Sequence, residues 1–295
     1  RVRRQRQMCI RDRAWAVDGF VQLLTGVSLL GDPLVELGEE GAIVTGSLQL
    51  GYGATLAILS PFFLEALRRA GGMGVGVLSL PVYAAIVMSG HQSSAVLALI
   101  GLAGWAMLAL RNKEVGAKRQ VTGFVISAII GLLLGVYLSV VTGQVSTLAE
   151  APPRYQSFLY QSQLWELSWQ AFKDHWLTGV GMRGFGTFAL ATDASVIPGL
   201  AETWHSHLTI LEVISETGLV GLIGYGVLLR WLWGYVQDER IHVAVAGLTA
   251  LLAVFPLGTA VGMYSYIGGN LIFLTFTLLI ALDRDCPQVT ETSAP

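Results

Sequence analysis

The sequence predicts an all-α fold: a multi-pass transmembrane helix bundle of about eight spans, with one long, partly helical extracytoplasmic loop. Three observations point there. Hydrophobic residues make up 53% of the 295-residue chain and charged ones 13%, whereas a soluble domain averages about a quarter charged. Apolar runs of membrane-crossing length recur between short polar turns. Basic residues gather in alternate turns. Mean hydropathy is +0.60. A net charge of -2 gives no case for a nucleic-acid partner. Cys9 and Cys286 lack metal-type spacing and support no disulfide framework.

The elements follow in order. Residues 1–13 carry six arginines with no apolar period and no signal-peptide core. We expect a non-native, adaptor-derived segment joined near Ala14, a cytoplasmic basic flank being the alternative. The first part of the bundle runs over 14–142. Within it, Ala14–Leu30 is a weak span interrupted by Asp18 and Gln22, followed by an acidic loop, Gly31–Gly41. Ile43–Leu64 is a stronger span ending at Arg68 and Arg69. Met73–Met88, Ala95–Leu110 and Val121–Thr142 come next, with the basic loop Arg111–Gln120 before the last of them. The region 143–207 is long and polar. The bundle resumes over 208–282 with Leu208–Leu229, Val243–Met263 and Ile267–Leu282, and 283–295 reads as a polar cytoplasmic tail.

This alternation puts Arg68, Arg69, Arg111, Lys113, Lys118, Arg119, Arg230, Arg240 and Arg284 on one side. The other side holds only Arg154, Lys173 and Arg183, in by far the longest loop. Basic residues accumulate on the cytoplasmic face, so 143–207 is expected outside the cytoplasm.

Within that loop, Trp165, Leu167, Ser168, Phe172 and Trp176 form a stripe at near-helical spacing. It predicts an amphipathic helix over about Ser162–His175, either lying on the membrane or capping the bundle, and acting as a packing element or as a wall over a headgroup site. Gly179-Val180-Gly181-Met182-Arg183-Gly184-Phe185-Gly186 matches G-x-G-x-x-G in spacing. The pattern carries dinucleotides only between a buried strand and a helix, and no strand precedes it here. As a glycine-rich turn it can offer N–H groups to a phosphate, with Arg183 adding charge.

His205 and His207 precede a long apolar helix, with Glu202 nearby. Three readings stand: metal ligands, a polar helix start without chemistry, or a general base. A helix N-terminus disfavours an imidazolium, which would leave His207 neutral and able to take a proton. Glu212 and Glu216 share a face of that helix. Gly218, Gly221 and Gly224 read as a seam for close approach of another helix.

His207-x-x-x-Leu211-x-x-x-x-Glu216-x-Gly218-x-x-Gly221 resembles the signature of the O-antigen ligase and polymerase family of bacterial membrane glycosyltransferases. Phe172-x-Asp174-His175 leading into Gly179-Val180-Gly181, within Trp165–Phe185, resembles the stretch that precedes it. Together they cover roughly Val121–Leu282. The resemblance implies transfer of a glycan from an undecaprenyl-diphosphate carrier at the periplasmic face of the inner membrane. The acceptor is a hydroxyl on a lipid or a glycan, or sometimes on a protein. No metal or other cofactor is implied. His207 would activate the acceptor, and arginines would hold the diphosphate. The pattern departs at Leu208, where the family carries a polar residue, and at Gln161 and Gln92, where it carries arginines. Arg154 or Arg183 would then supply the charge, with His205, Glu216, Gln161 and Gln92 as further substrate contacts. The rival readings are a transporter or flippase-like protein and an inactive scaffold fragment.

Overall fold

The computed structural model describes residues 21, 22, 25, 27, 28, 35, 36, 42, 43, 52–70, 73–89, 92–111, 116–141, 152–192, 206, 208–257 and 266–284. The expected adaptor segment, most of the span Ala14–Leu30 and the tail beyond residue 284 lie outside them.

The described residues are almost wholly helical. A two-residue antiparallel ladder joins β1 (Val35–Glu36) to β2 (Ala42–Ile43). Ile43 therefore does not open a helix as expected. The helix α1 runs over Tyr52–Ala70 and carries Arg68 and Arg69 in its last turn. A 3-10 turn, Met73–Leu78, leads into α2 (Ser79–Met88), and α3 (Gln92–Arg111) and α4 (Ala117–Val141) follow. Next come α5 (Pro152–Asp174), α6 (Phe185–Ala191), α7 (Thr209–Val236), α8 (Ile241–Ala253) and α9 (Tyr266–Arg284). Among the described residues, three helices are long and apolar enough to cross a membrane: Ser93–Arg111, Ala117–Val141 and Thr209–Val236.

Two spans have other limits than hydropathy alone predicts. The expected helix Val243–Met263 stops at Ala253. Pro256 lies just beyond it; proline lacks an N–H and disfavours helix in the residue before it. Conversely, α7 continues through Arg230 to Val236. Arg230 is exposed there, as a long cationic side chain reaching past an apolar stem can be.

Helix α8 is the hub. It packs on α1, α3, α7 and α9, and every residue from Val243 to Ala250 is buried. On the far side of the core α2 packs along α4. A β-carbon at Gly131 or Gly135 would fall 2.4 Å or 2.7 Å from a backbone oxygen of α2, so these two glycines set how closely the helices approach.

The charged groups gather at one end. Arg111, at the end of α3, donates to the carbonyls of Gln237 and Asp238 in the α7–α8 turn. Arg240 in that turn pairs with Asp238 at 2.9 Å and with Asp283 of α9 at 2.6 Å. The C-terminal ends of α3, α7 and α9 therefore share one end of the bundle, as the alternation of basic turns predicts for Arg111, Arg240 and Arg284. Inside the bundle, the buried Glu65 carboxylate takes Arg68 at 2.9 Å, Arg69 at 2.7 Å and the Trp105 indole N–H at 3.3 Å. A buried carboxylate needs such partners.

Candidate functional site

At the opposite end, α7 is broken. Gly218 has φ 62 and ψ -155 inside an otherwise helical run. The break costs α7 the two bonds from Leu219 N–H to the Ser215 carbonyl and from Val220 N–H to the Glu216 carbonyl. All four groups are taken up by the loop that leaves α5. Leu219 N–H donates to the Trp176 carbonyl at 2.8 Å, and Val220 N–H to that of Leu177 at 3.2 Å. Val180 N–H donates to the Ser215 carbonyl and Gly181 N–H to that of Glu216, both at 2.9 Å. A stretch of irregular backbone is thus spliced into the helix with no freed polar group wasted.

The splice needs glycine on both sides. A β-carbon at Gly179 would sit 2.3 Å from the Glu216 backbone carbon, and one at Gly218 would sit 2.5 Å from that of Leu177. Both residues also have positive φ, which glycine adopts without steric cost. The seam expected from Gly218, Gly221 and Gly224 is therefore corrected. Gly218 admits a loop rather than a helix, Gly221 faces its own Thr217, and Gly224 has open space within 4 Å.

Both sides of the break hold to the residues after α8. The Ile210 N–H donates to the Pro256 carbonyl at 2.9 Å, and the Tyr225 hydroxyl donates to the Val254 carbonyl. The segment Thr209–Thr217 is thereby drawn over the exit of α8, with Glu212, Ser215 and Glu216 buried in it.

The amphipathic helix is longer than expected. It begins at Pro152, ten residues before Ser162, and packs on α7. Its buried face is Leu164, Leu167, Ser168 and Ala171, which follows the helical period from Leu164. Leu164 and Leu167 form a cluster with Phe185 and Ala189 of α6. The expected stripe is corrected in part. Trp165 and Phe172 are half-buried, and Trp176, beyond the helix end at Asp174, is 56% exposed.

Several amides of the glycine-rich turn are already committed. Val180, Gly181, Arg183 and Gly184 all spend their N–H groups inside the protein. Arg183 N–H donates to Glu216 Oε2 at 2.7 Å, and the Phe185 backbone N–H bears on the same carboxylate. The structure thus brings Glu216 and Arg183 together, with Arg183 exposed on an open turn.

The other candidates are placed less fully. Arg154 and Gln161 lie in α5, and Gln92 opens α3; their side chains are outside the described residues. His205 and His207 are also outside them. Between them Ser206 is buried, and its hydroxyl donates to the Leu208 carbonyl at 3.1 Å. Leu208 is extended, and α7 starts at the next residue. Among the described residues no group of three or more His, Cys, Asp or Glu could hold a metal ion.

Sequence reading missed the part of the Trp176 and Leu177 carbonyls, because backbone acceptors leave no sequence mark. A signal did exist in the pairing of two glycine-bearing stretches, Gly179-Val180-Gly181 and Glu216-x-Gly218, that must touch at the backbone.

No curated protein and no solved structure matches the chain. The O-Antigen ligase family matches residues 74–226, more than half of the chain and a stretch that includes every candidate residue above. The chain belongs to the O-antigen ligase family.

Proposed function

We propose that the chain transfers a glycan from an undecaprenyl-diphosphate carrier to an acceptor hydroxyl at the periplasmic face of the bacterial inner membrane. The single observation that carries this reading is membership in the O-antigen ligase family over 74–226, with the His207…Glu216-x-Gly218 signature inside it. An O-antigen ligase- or polymerase-like glycosyltransferase role follows from the family. The carrier, the base and the independence from metal are our proposals.

In this reading His207 takes the proton of the acceptor hydroxyl. The acceptor oxygen then attacks the anomeric carbon, the bond from that carbon to the diphosphate oxygen breaks, and undecaprenyl diphosphate leaves. Arg183 and Arg154 hold the diphosphate. Their guanidinium groups neutralise charge that grows on the leaving oxygen in the transition state. His205, Gln161 and Gln92 are proposed as further substrate contacts. About eight spans, with 143–207 outside the cytoplasm, complete the proposed topology.

A non-catalytic transporter is the second reading, and it predicts discontinuous helices whose freed backbone coordinates a substrate or ion. Helix α7 is discontinuous, but Ser215, Glu216, Leu219 and Val220 have their freed groups bonded to residues 176–181. That favours the enzyme. The test is carrier-linked glycan transfer in membranes, wild type against His207→Ala. Loss of a general base costs about 10²- to 10⁴-fold in rate. Undiminished transfer by the variant overturns the assignment of the base.

A further inference from the structure

We propose that Glu216 is a positioning residue, which fixes the Gly181–Gly184 turn through its backbone and so sets where the Arg183 guanidinium stands. It replaces the expectation that Glu216 contacts substrate. The proposal deepens the reading above and rests on it for what Arg183 holds.

The geometry separates the two ends of Arg183. Its N–H points inward and donates to Glu216 Oε2 at 2.7 Å, across 33 residues of sequence. Its side chain is on the exposed side. Glu216 is 1% exposed, so its carboxylate has no open face to present to a carrier or an acceptor. It accepts the Arg183 backbone N–H.

The turn needs such a tie. Arg183 has φ 59 and is the one non-glycine with positive φ among the described residues, a conformation that repels a β-carbon. A β-carbon at Gly181 would meet nothing within 4 Å, and Met182 is 69% exposed, so packing does not hold the turn. One backbone bond, Gly184 N–H to the Gly181 carbonyl at 2.8 Å, closes it. Glu216 supplies one more bond from outside, its Oε2 accepting the Arg183 N–H. Its own backbone is locked by the splice, since its carbonyl accepts from Gly181. Carboxylate and turn are therefore registered against each other at two points.

The experiment uses the full chain in membranes, with Cys9 and Cys286 replaced by serine and a spin label on Met182→Cys. The variants are Glu216→Ala, Glu216→Gln, Arg183→Ala and the double Glu216→Ala/Arg183→Ala. We expect Glu216→Ala to raise label mobility and Glu216→Gln to restore most of the order, since the amide oxygen still accepts an N–H. In transfer assays Glu216→Ala should lower kcat/KM for the carrier-linked glycan about tenfold, through the same loss of diphosphate contact that Arg183→Ala causes. It should weaken competition by undecaprenyl diphosphate to the same degree. Added to Arg183→Ala, it should cost nothing further. Unchanged label mobility in Glu216→Ala overturns the proposal, whatever the protein catalyses. A loss in kcat/KM that adds to that of Arg183→Ala overturns it too, by making Glu216 a participant in the chemistry. If no variant affects transfer while label mobility responds as expected, Glu216 still fixes the turn, and the role assigned to Arg183 is what fails.

Discussion

Gly179 and Gly218 interlock: a β-carbon on Gly218 would come 2.6 Å from the backbone nitrogen of Gly179. Either Gly218→Ala or Gly179→Ala therefore has to part the loop from α7 or force strained φ on the new side chain. Left-handed strain alone costs about 1–2 kcal/mol, and unmade bonds at the splice add to it. We expect a loss of roughly 3 kcal/mol for each, seen as a lowered melting midpoint in detergent. Gly224→Ala is the control. It has open space within 4 Å and lies in regular helix, so it should be neutral or stabilising by up to about 1 kcal/mol.

The break at Gly218 also shows where sequence reading stops. Apolar runs located α3, α4 and α7 because length and hydropathy are all that a crossing requires. The basic turns placed Arg111, Arg240 and Arg284 at one end, and Arg111 and Arg240 do bond across that end. Glycine is ambiguous, however. In an apolar pattern it reads as packing, and at Gly131 and Gly135 that is what it does, whereas at Gly218 the same residue ends a helix. Pro256 was the readable signal for the end of α8, and hydropathy overrode it. Of the candidate site, the joining of Glu216 to Arg183 was not legible. It depends on a side chain meeting a backbone N–H 33 residues away, and no residue pattern specifies that.

Arg183 allows charge and backbone to be tested apart. Its left-handed φ of 59 costs an ordinary residue about 1–2 kcal/mol and glycine almost nothing. Arg183→Gly should therefore hold or slightly raise the melting midpoint while it lowers kcat/KM for the carrier-linked glycan. Arg183→Lys should keep part of the binding, since a point charge replaces a forked guanidinium. A destabilised Arg183→Gly protein would mean that the side chain holds the turn, contrary to its exposure.

The Arg240 cluster predicts a pH response. The Arg240 guanidinium beside Asp238 holds that carboxyl below the usual carboxylate range, mainly by direct hydrogen bonding. A carboxyl depressed in the folded state contributes stability above its unfolded value of about 3.9, and that stability is lost as pH falls through the lower folded value. The contribution should thus be constant from neutral pH down to about 5 and vanish in strong acid. Partly exposed pairs are worth about 0.5–1 kcal/mol. Asp238→Asn should lower stability by that amount at pH 7 and flatten the acid limb of the stability curve. Melting midpoints of the variant and wild type between pH 7 and pH 3 would check it, and parallel curves would count against it.

The two ends of α7 give a direct test of orientation. Met182 is exposed in the turn beside the break, and Gln237 is exposed in the turn that follows Val236. The stretch from Leu219 to Val236 is about 27 Å long, close to the hydrocarbon thickness of a bilayer. The two side chains should therefore meet water on opposite sides. Arg111 and Arg240 cluster at the Gln237 end, and cytoplasmic ends carry the excess of basic residues. With Cys9 and Cys286 replaced by serine, an impermeant maleimide added to cells with a permeabilised outer membrane should label Met182→Cys. It should leave Gln237→Cys unlabelled until the inner membrane is opened. The reverse pattern would turn Arg183 and the start of α7 toward the cytosol, where a periplasmic transfer has no access to them.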